Sequence, residues 1–115
     1  MSAVYVSNII INQGATFEQT FDLIKPDDSG PLDLTEQSIS SQLRKHAGSN
    51  TKISFTTTKT DAVNGQLKIS LTSTQTTNIS KPGRYVYDIK LFDDNTGKVS
   101  RVVEGSVLVR EGVTR

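Results

Sequence analysis

The chain has 115 residues, with thirteen Lys or Arg against twelve Asp or Glu, a formal net charge of +1 and no cysteine. That length suits one domain able to bury roughly two thirds of its extended surface, and the balanced charge lacks the basic excess that drives phosphate-backbone binding, which argues against a nucleic-acid partner. The missing cysteines remove disulfides, thiolate metal sites and thiol nucleophiles, while an opening Met1-Ser2-Ala3-Val4-Tyr5 without a basic segment, and no apolar run of about 18 residues, leave neither a secretion signal nor a membrane span to expect.

Thr and Ser are abundant, which favours extended structure because branched side chains fit a pleated surface. The first strand is expected over residues 4–11. Its run Ile9-Ile10-Ile11 is apolar on both faces, as suits a strand lying between two sheets or an edge covered by a neighbouring subunit. After the turn Asn12-Gln13-Gly14, Phe17, Phe21 and Leu23 alternate with Glu18, Thr20 and Asp22, a period of two that buries one face and wets the other. A loop at 26–30 separates this strand from Ile39 and Leu43, and Gly48-Ser49-Asn50 leads to Ile53 and Phe55.

Asn64-Gly65 is the strongest hairpin signal, since both residues tolerate the positive φ of a type I′ turn. Leu67, Ile69 and Leu71 follow as a strand, and the hydroxyl-rich segment 72–77 reads as a short helical turn carrying the chain between sheets. Beyond Lys81-Pro82-Gly83, the run Tyr85, Tyr87, Ile89 and Leu91 is the clearest alternation, ended by the turn Asp93-Asp94-Asn95-Thr96-Gly97. The last strand carries Val99, Val103, Val107 and Val109 on one register and Val102 and Leu108 on the other, with Gly105 expected at a bulge. These elements predict a single all-β domain over 1–115, an immunoglobulin-like antiparallel β-sandwich of about seven strands with one short helical turn near 72–77. Tyr85, after Pro82-Gly83-Arg84, matches the tyrosine corner of such sandwiches.

Chemistry finds little foothold. His46 is the only histidine, so a triad or a histidine-rich metal site is excluded by count. The stretch from Asp93 to Glu104 has Asp, Asn and Glu at the first, third and twelfth positions of a calcium loop, but Gly97 falls one position early and the flanks read as strand, so a hairpin turn is expected. Asn78-Ile79-Ser80 matches a glycosylation triplet without a secretory route to use it. Asp22, Asp27, Asp28 and Asp33 have no pattern that brings two carboxylates together for glycoside hydrolysis. Tyr85 and Tyr87 would suit a sugar platform only if they faced outward, and they share the register of Ile89 and Leu91. No enzyme and no cofactor is expected. What remains is docking through charge and chain ends, with Val4, Tyr5, Val6, Arg44, Lys45, Arg101, Arg110 and Arg115 as candidate interface residues able to reach a partner or add a strand to its sheet.

The order Gln13-Gly14-Ala15-Thr16-Phe17, Pro31-Leu32-Asp33-Leu34-Thr35, Ser41-Gln42-Leu43-Arg44-Lys45, Thr60-Asp61-Ala62-Val63-Asn64-Gly65 and Pro82-Gly83-Arg84-Tyr85-Val86-Tyr87-Asp88, with the closing segment from Val103, resembles small immunoglobulin-like β-sandwich virion proteins of tailed bacteriophages. Structural proteins of T4-like cyanophages are of this kind, and the N-terminal domain of phage baseplate upper proteins is similar. The resemblance covers nearly the whole chain and implies a non-enzymatic particle component, present in several copies, assembled in the host cytoplasm and partnered by other tail, neck or capsid proteins. The sequence runs to Arg115 without a helical stalk, which weakens a host-binding role and favours an adaptor or a capsid-decorating one; a carbohydrate-binding adhesion module is the alternative of another class.

Overall fold

The computed structural model describes residues 5–25, 30–46, 48–50, 52–79 and 81–112. Nine strands and one short helix occur among them: β1 (Tyr5–Val6), β2 (Ile9–Asn12), β3 (Phe17–Asp22), β4 (Gln37–Arg44), β5 (Lys52–Ser54), β6 (Thr56–Asp61), β7 (Gln66–Leu71), α1 (Ser73–Thr77), β8 (Gly83–Asp93) and β9 (Val99–Arg110). They form two packed sheets. The larger runs β1-β9-β8-β4-β5 with β2 also on β9, and the smaller runs β3-β7-β6. The all-β sandwich expected from the alternating blocks is present, with two differences of detail: β1 and β2 pair with β9 in parallel, and two strands more are found than the patterns suggest.

Both additional strands have a physical reason. The expected first strand divides at Ser7 and Asn8, where Ser7 N donates to Glu104 O and the Asn8 side chain accepts from Ser106 N. The other, β6, is threonine-rich and largely exposed, so no apolar alternation announces it; it exists because β7 offers it a ladder. The chain changes sheet between β5 and β6 at Phe55, whose ring is buried against Phe17 and Tyr87.

The core lies where the period-two residues point. Ile9, Ile11, Leu43, Tyr85, Tyr87, Ile89, Leu91, Val103, Val107 and Val109 from the large sheet meet Phe17, Leu67, Ile69 and Leu71 from the small one. Leu23, Leu34, Ile79 and Val102 close the margins. The helical turn forms as expected: Thr72 accepts from Gln75 N while the Gln75 side chain accepts from Thr72 N, a reciprocal cap satisfying two amides that the helix itself leaves over. It carries the chain from β7 in one sheet to β8 in the other. The tyrosine corner is also formed, Tyr85 OH donating to Lys81 O at 2.7 Å.

Two turn expectations need correction. Gly65 N donates to Ala62 O at 3.2 Å and Asp61 pairs with Gln66, so Val63 and Asn64 are the central turn residues and Gly65 follows them. A glycine is required there, because φ is +76° and a Cβ would lie 2.4 Å from Leu23 O. In β9 the register shifts at Val102, between the pairs Ile89–Val103 and Lys90–Arg101, and not at Gly105. Gly105 instead lets β1 approach, since a Cβ would stand 2.1 Å from Ser7 O.

Candidate docking surfaces

A sandwich uses the inner face of each sheet for its core, so the outer faces, edges and ends remain for contact. On the large sheet the outer face is read from the register. Gln42 lies opposite Asp88, Asp88 opposite Glu104, and Glu104 opposite Val6; one row away, Arg44 lies opposite Val86 and Val86 opposite Ser106. Together with His46 and Arg101 these residues surround an open hollow of about 850 Å³.

The arginines of this hollow are engaged with neighbouring groups. Arg101 reaches Asp88 at 3.5 Å and Glu104 at 3.9 Å. Arg44 donates to Ser49 O at 2.8 Å and to Gln42 Oε1 at 3.2 Å, which ties the β4–β5 loop to the strand before it. At this exposure such pairs contribute little stability, but they hold the side chains in place. Tyr87 borders the hollow from beneath; its phenol donates to Ser7 O at 2.7 Å and burial pushes its pKa up.

The candidate residues read from the sequence therefore separate. Val6, Arg44 and Arg101 converge on the hollow. Tyr5, one residue away, lies opposite Val103 at the sheet margin and is partly exposed. Lys45 sits elsewhere, its ammonium 4.8 Å from the Tyr85 ring centroid, a cation–π contact. Arg110 ends β9 opposite Asn12, its carbonyl accepting from Gln13 N. Val4 and Arg115 lie outside the described residues.

The same outer face also exposes apolar residues that are not among the candidates read from the sequence. Ile10 and Leu108 are directly opposite one another on the outer face, 52% and 40% exposed, with Val86 diagonal to them. The signal was visible in the doubly apolar Ile9-Ile10-Ile11, and the structure makes it an edge strand with Ile9 and Ile11 inward and Ile10 outward, not one enclosed between sheets. At the other end of the same face Phe92 lies opposite Val99, both exposed. The alternation places Val99 on the register of Val103, Val107 and Val109, and the additional residue at Val102 turns it over.

The weaker sequence candidates take structural places. Tyr85 and Tyr87 are buried with both hydroxyls bonded to backbone, so neither offers a stacking face. Asp93 accepts from Asn95 N and Thr96 N, which makes the segment a hairpin turn and lowers the Asp93 pKa. Asp33 is likewise lowered by the hydroxyl and amide of Thr35. Asp22 accepts from Gln66, and His46 is an exposed loop residue beside the hollow. Asp27, Asp28 and Ser80 lie outside the described residues.

No family model and no curated protein matches the chain. Among solved structures it is similar to the N-terminal domain of ORF48 of phage TP901-1, at 13% identity and a TM-score of 0.58, over 90% of this chain and 85% of that one. It is also similar to Listeria monocytogenes InlP, at 17% identity and a TM-score of 0.49, covering 95% of this chain and 28% of that one. A family 123 glycoside hydrolase from Clostridium perfringens matches at 14% identity and a TM-score of 0.43, over 96% of this chain and 24% of the enzyme. The chain thus spans only about a quarter of the length of the Listeria protein and of the hydrolase. At these identities the likeness is one of fold.

Proposed function

We propose that this protein is a non-enzymatic structural component of a tailed-phage virion, a tail, baseplate or neck adaptor that docks onto neighbouring particle proteins in several copies. The observation that carries the reading is the fold it shares with the phage ORF48 domain, which extends over most of both chains. The disposition of the side chains supports docking over catalysis. The hollow on the outer face of the large sheet is open, and its arginines are held by neighbouring carboxylates, a side-chain amide and a backbone carbonyl. The exposed edges β1, β2 and β5 offer backbone groups on which a partner strand could add.

Purified particles of the phage encoding this chain test the proposal. The protein is expected in mass-spectrometric digests of gradient-purified virions, with multi-copy density for a two-layer domain at the tail, baseplate or neck by cryo-electron microscopy. Its absence from purified virions would remove the reading, and density on the capsid surface would replace the adaptor role by decoration.

A further inference from the structure

The net charge of +1 conceals a strong separation of charge along the molecule. Strands β8 and β9 have eleven and twelve residues. At about 3.3 Å per residue they fit only the longest of the three dimensions, 45 × 28 × 22 Å, so the strands run along the long axis. The register then assigns each charge to an end. One end gathers the finish of β4, the starts of β5 and β8 and the finish of β9, with Arg44, Lys45, Lys52, Lys81, Arg84 and Arg110. Glu111 is the carboxylate on the loops and strand ends there, among the described residues.

The opposite end gathers the finishes of β3, β6 and β8 with their loops. It carries Asp22, Asp33, Glu36, Asp61, Asp93 and Asp94 against Lys25, Lys59 and Lys98. Between the ends charge is balanced locally, Glu18 with Lys68 at 3.0 Å and Asp88 with Arg101.

A second feature follows the same axis. Exposed large apolar side chains lie toward both ends: Ile10, Val86 and Leu108 on the outer face of the large sheet near the basic groups, and Phe92 and Val99 on that same face, with Ile24 and Val63 in loops, near the acidic ones. Apolar contact surrounded by charges of opposite sign is the composition of a specific interface. An end of 28 × 22 Å is of the same order as the roughly 800 Å² that each partner contributes to an ordinary one.

We infer that the basic end of one copy docks on the acidic end of the next, so that the protein associates with itself head to tail. The contact joins two different surfaces, and such a contact closes into a ring or continues as a file according to the rotation between copies. It stands apart from the virion reading, because it concerns the purified protein alone.

Sedimentation velocity and small-angle scattering against protein concentration test it at about 0.01 M and 1 M salt, where charges are screened over roughly 30 Å and 3 Å respectively. Elongated or annular species of more than two copies are expected at low salt, with association weakened at least about tenfold at high salt. Two reversed variants sharpen the test. Lys52→Glu, Arg84→Glu and Arg110→Glu together leave carboxylates in the majority at both ends, and Glu36→Lys with Asp94→Lys leaves cations in the majority at both, among the described residues. Each alone, folded by circular dichroism, should stay monomeric, and an equimolar mixture should associate again.

A monomer at low salt and high concentration would overturn the inference, as would a compact dimer that stops at two copies, or association indifferent to salt and to both reversals. A monomer that instead binds a short DNA duplex would assign the basic end to a polyanion and overturn it equally. The salt series on the unaltered protein decides the matter even if a variant fails to fold.

Discussion

Tyr87 shows how one side chain serves both core and margin. Its ring packs edge-on to Phe55, centroids 6.2 Å apart, while its hydroxyl holds Ser7 O across the β1–β2 break. Replacement by Phe keeps the ring but leaves a carbonyl at the core margin without its donor, so Tyr87→Phe should cost about 1–3 kcal/mol. The urea midpoint should fall with little change in slope; an unaltered midpoint would mean that water replaces the phenol at no cost. The inward direction of Tyr87 was legible in its alternation with Val86 and Asp88. Its partner was not, because Ser7 lies eighty residues away and nothing local marks that meeting.

Strands that were legible owe it to one-sided burial. Residues of β7 alternate between buried and half-buried, and those of β8 follow the same period, so both are visible as pattern. By contrast, β6 is an edge strand with no buried side chain, held by its pairing with β7 and by the Thr57 hydroxyl donating to Ile39 O of β4. The attachment of β1 and β2 to β9 depends on a single small residue. In Gly105→Ala the new methyl would meet the Ser7 backbone, forcing the edge away at a cost of about 1–3 kcal/mol. Faster hydrogen exchange at Ser7 and Ile9–Asn12, with β4 and β7 unchanged, is the expected signature; uniform acceleration would mean that the edge and the sandwich open together.

Across the whole molecule, the acidic end is where a response to acid is expected. Asp33 and Asp93 are both held below the ordinary aspartate value by hydrogen bonds within their turns. A depressed carboxyl contributes stability that is complete above its unfolded pKa, about 4, and is lost as pH falls through the lower folded value. The contribution of these groups to the thermal midpoint should therefore be complete and constant between pH 7 and about 5, and the midpoint should decline below about 4. Asp33→Asn with Asp93→Asn should flatten that decline, and an equally steep fall in the double variant would place the acid sensitivity elsewhere. The sandwich, the helical turn at 72–77 and the tyrosine corner are legible in the chain alone, because alternation, capping and turn chemistry act between neighbours. Which apolar residues stay outside and where the charges collect emerge once the strands have paired. One added residue at Val102 turns Val99 outward, and strand pairing brings Arg44, Arg84 and Arg110, distant in sequence, to the same end. Register and strand direction are long-range properties, set by how separate segments meet.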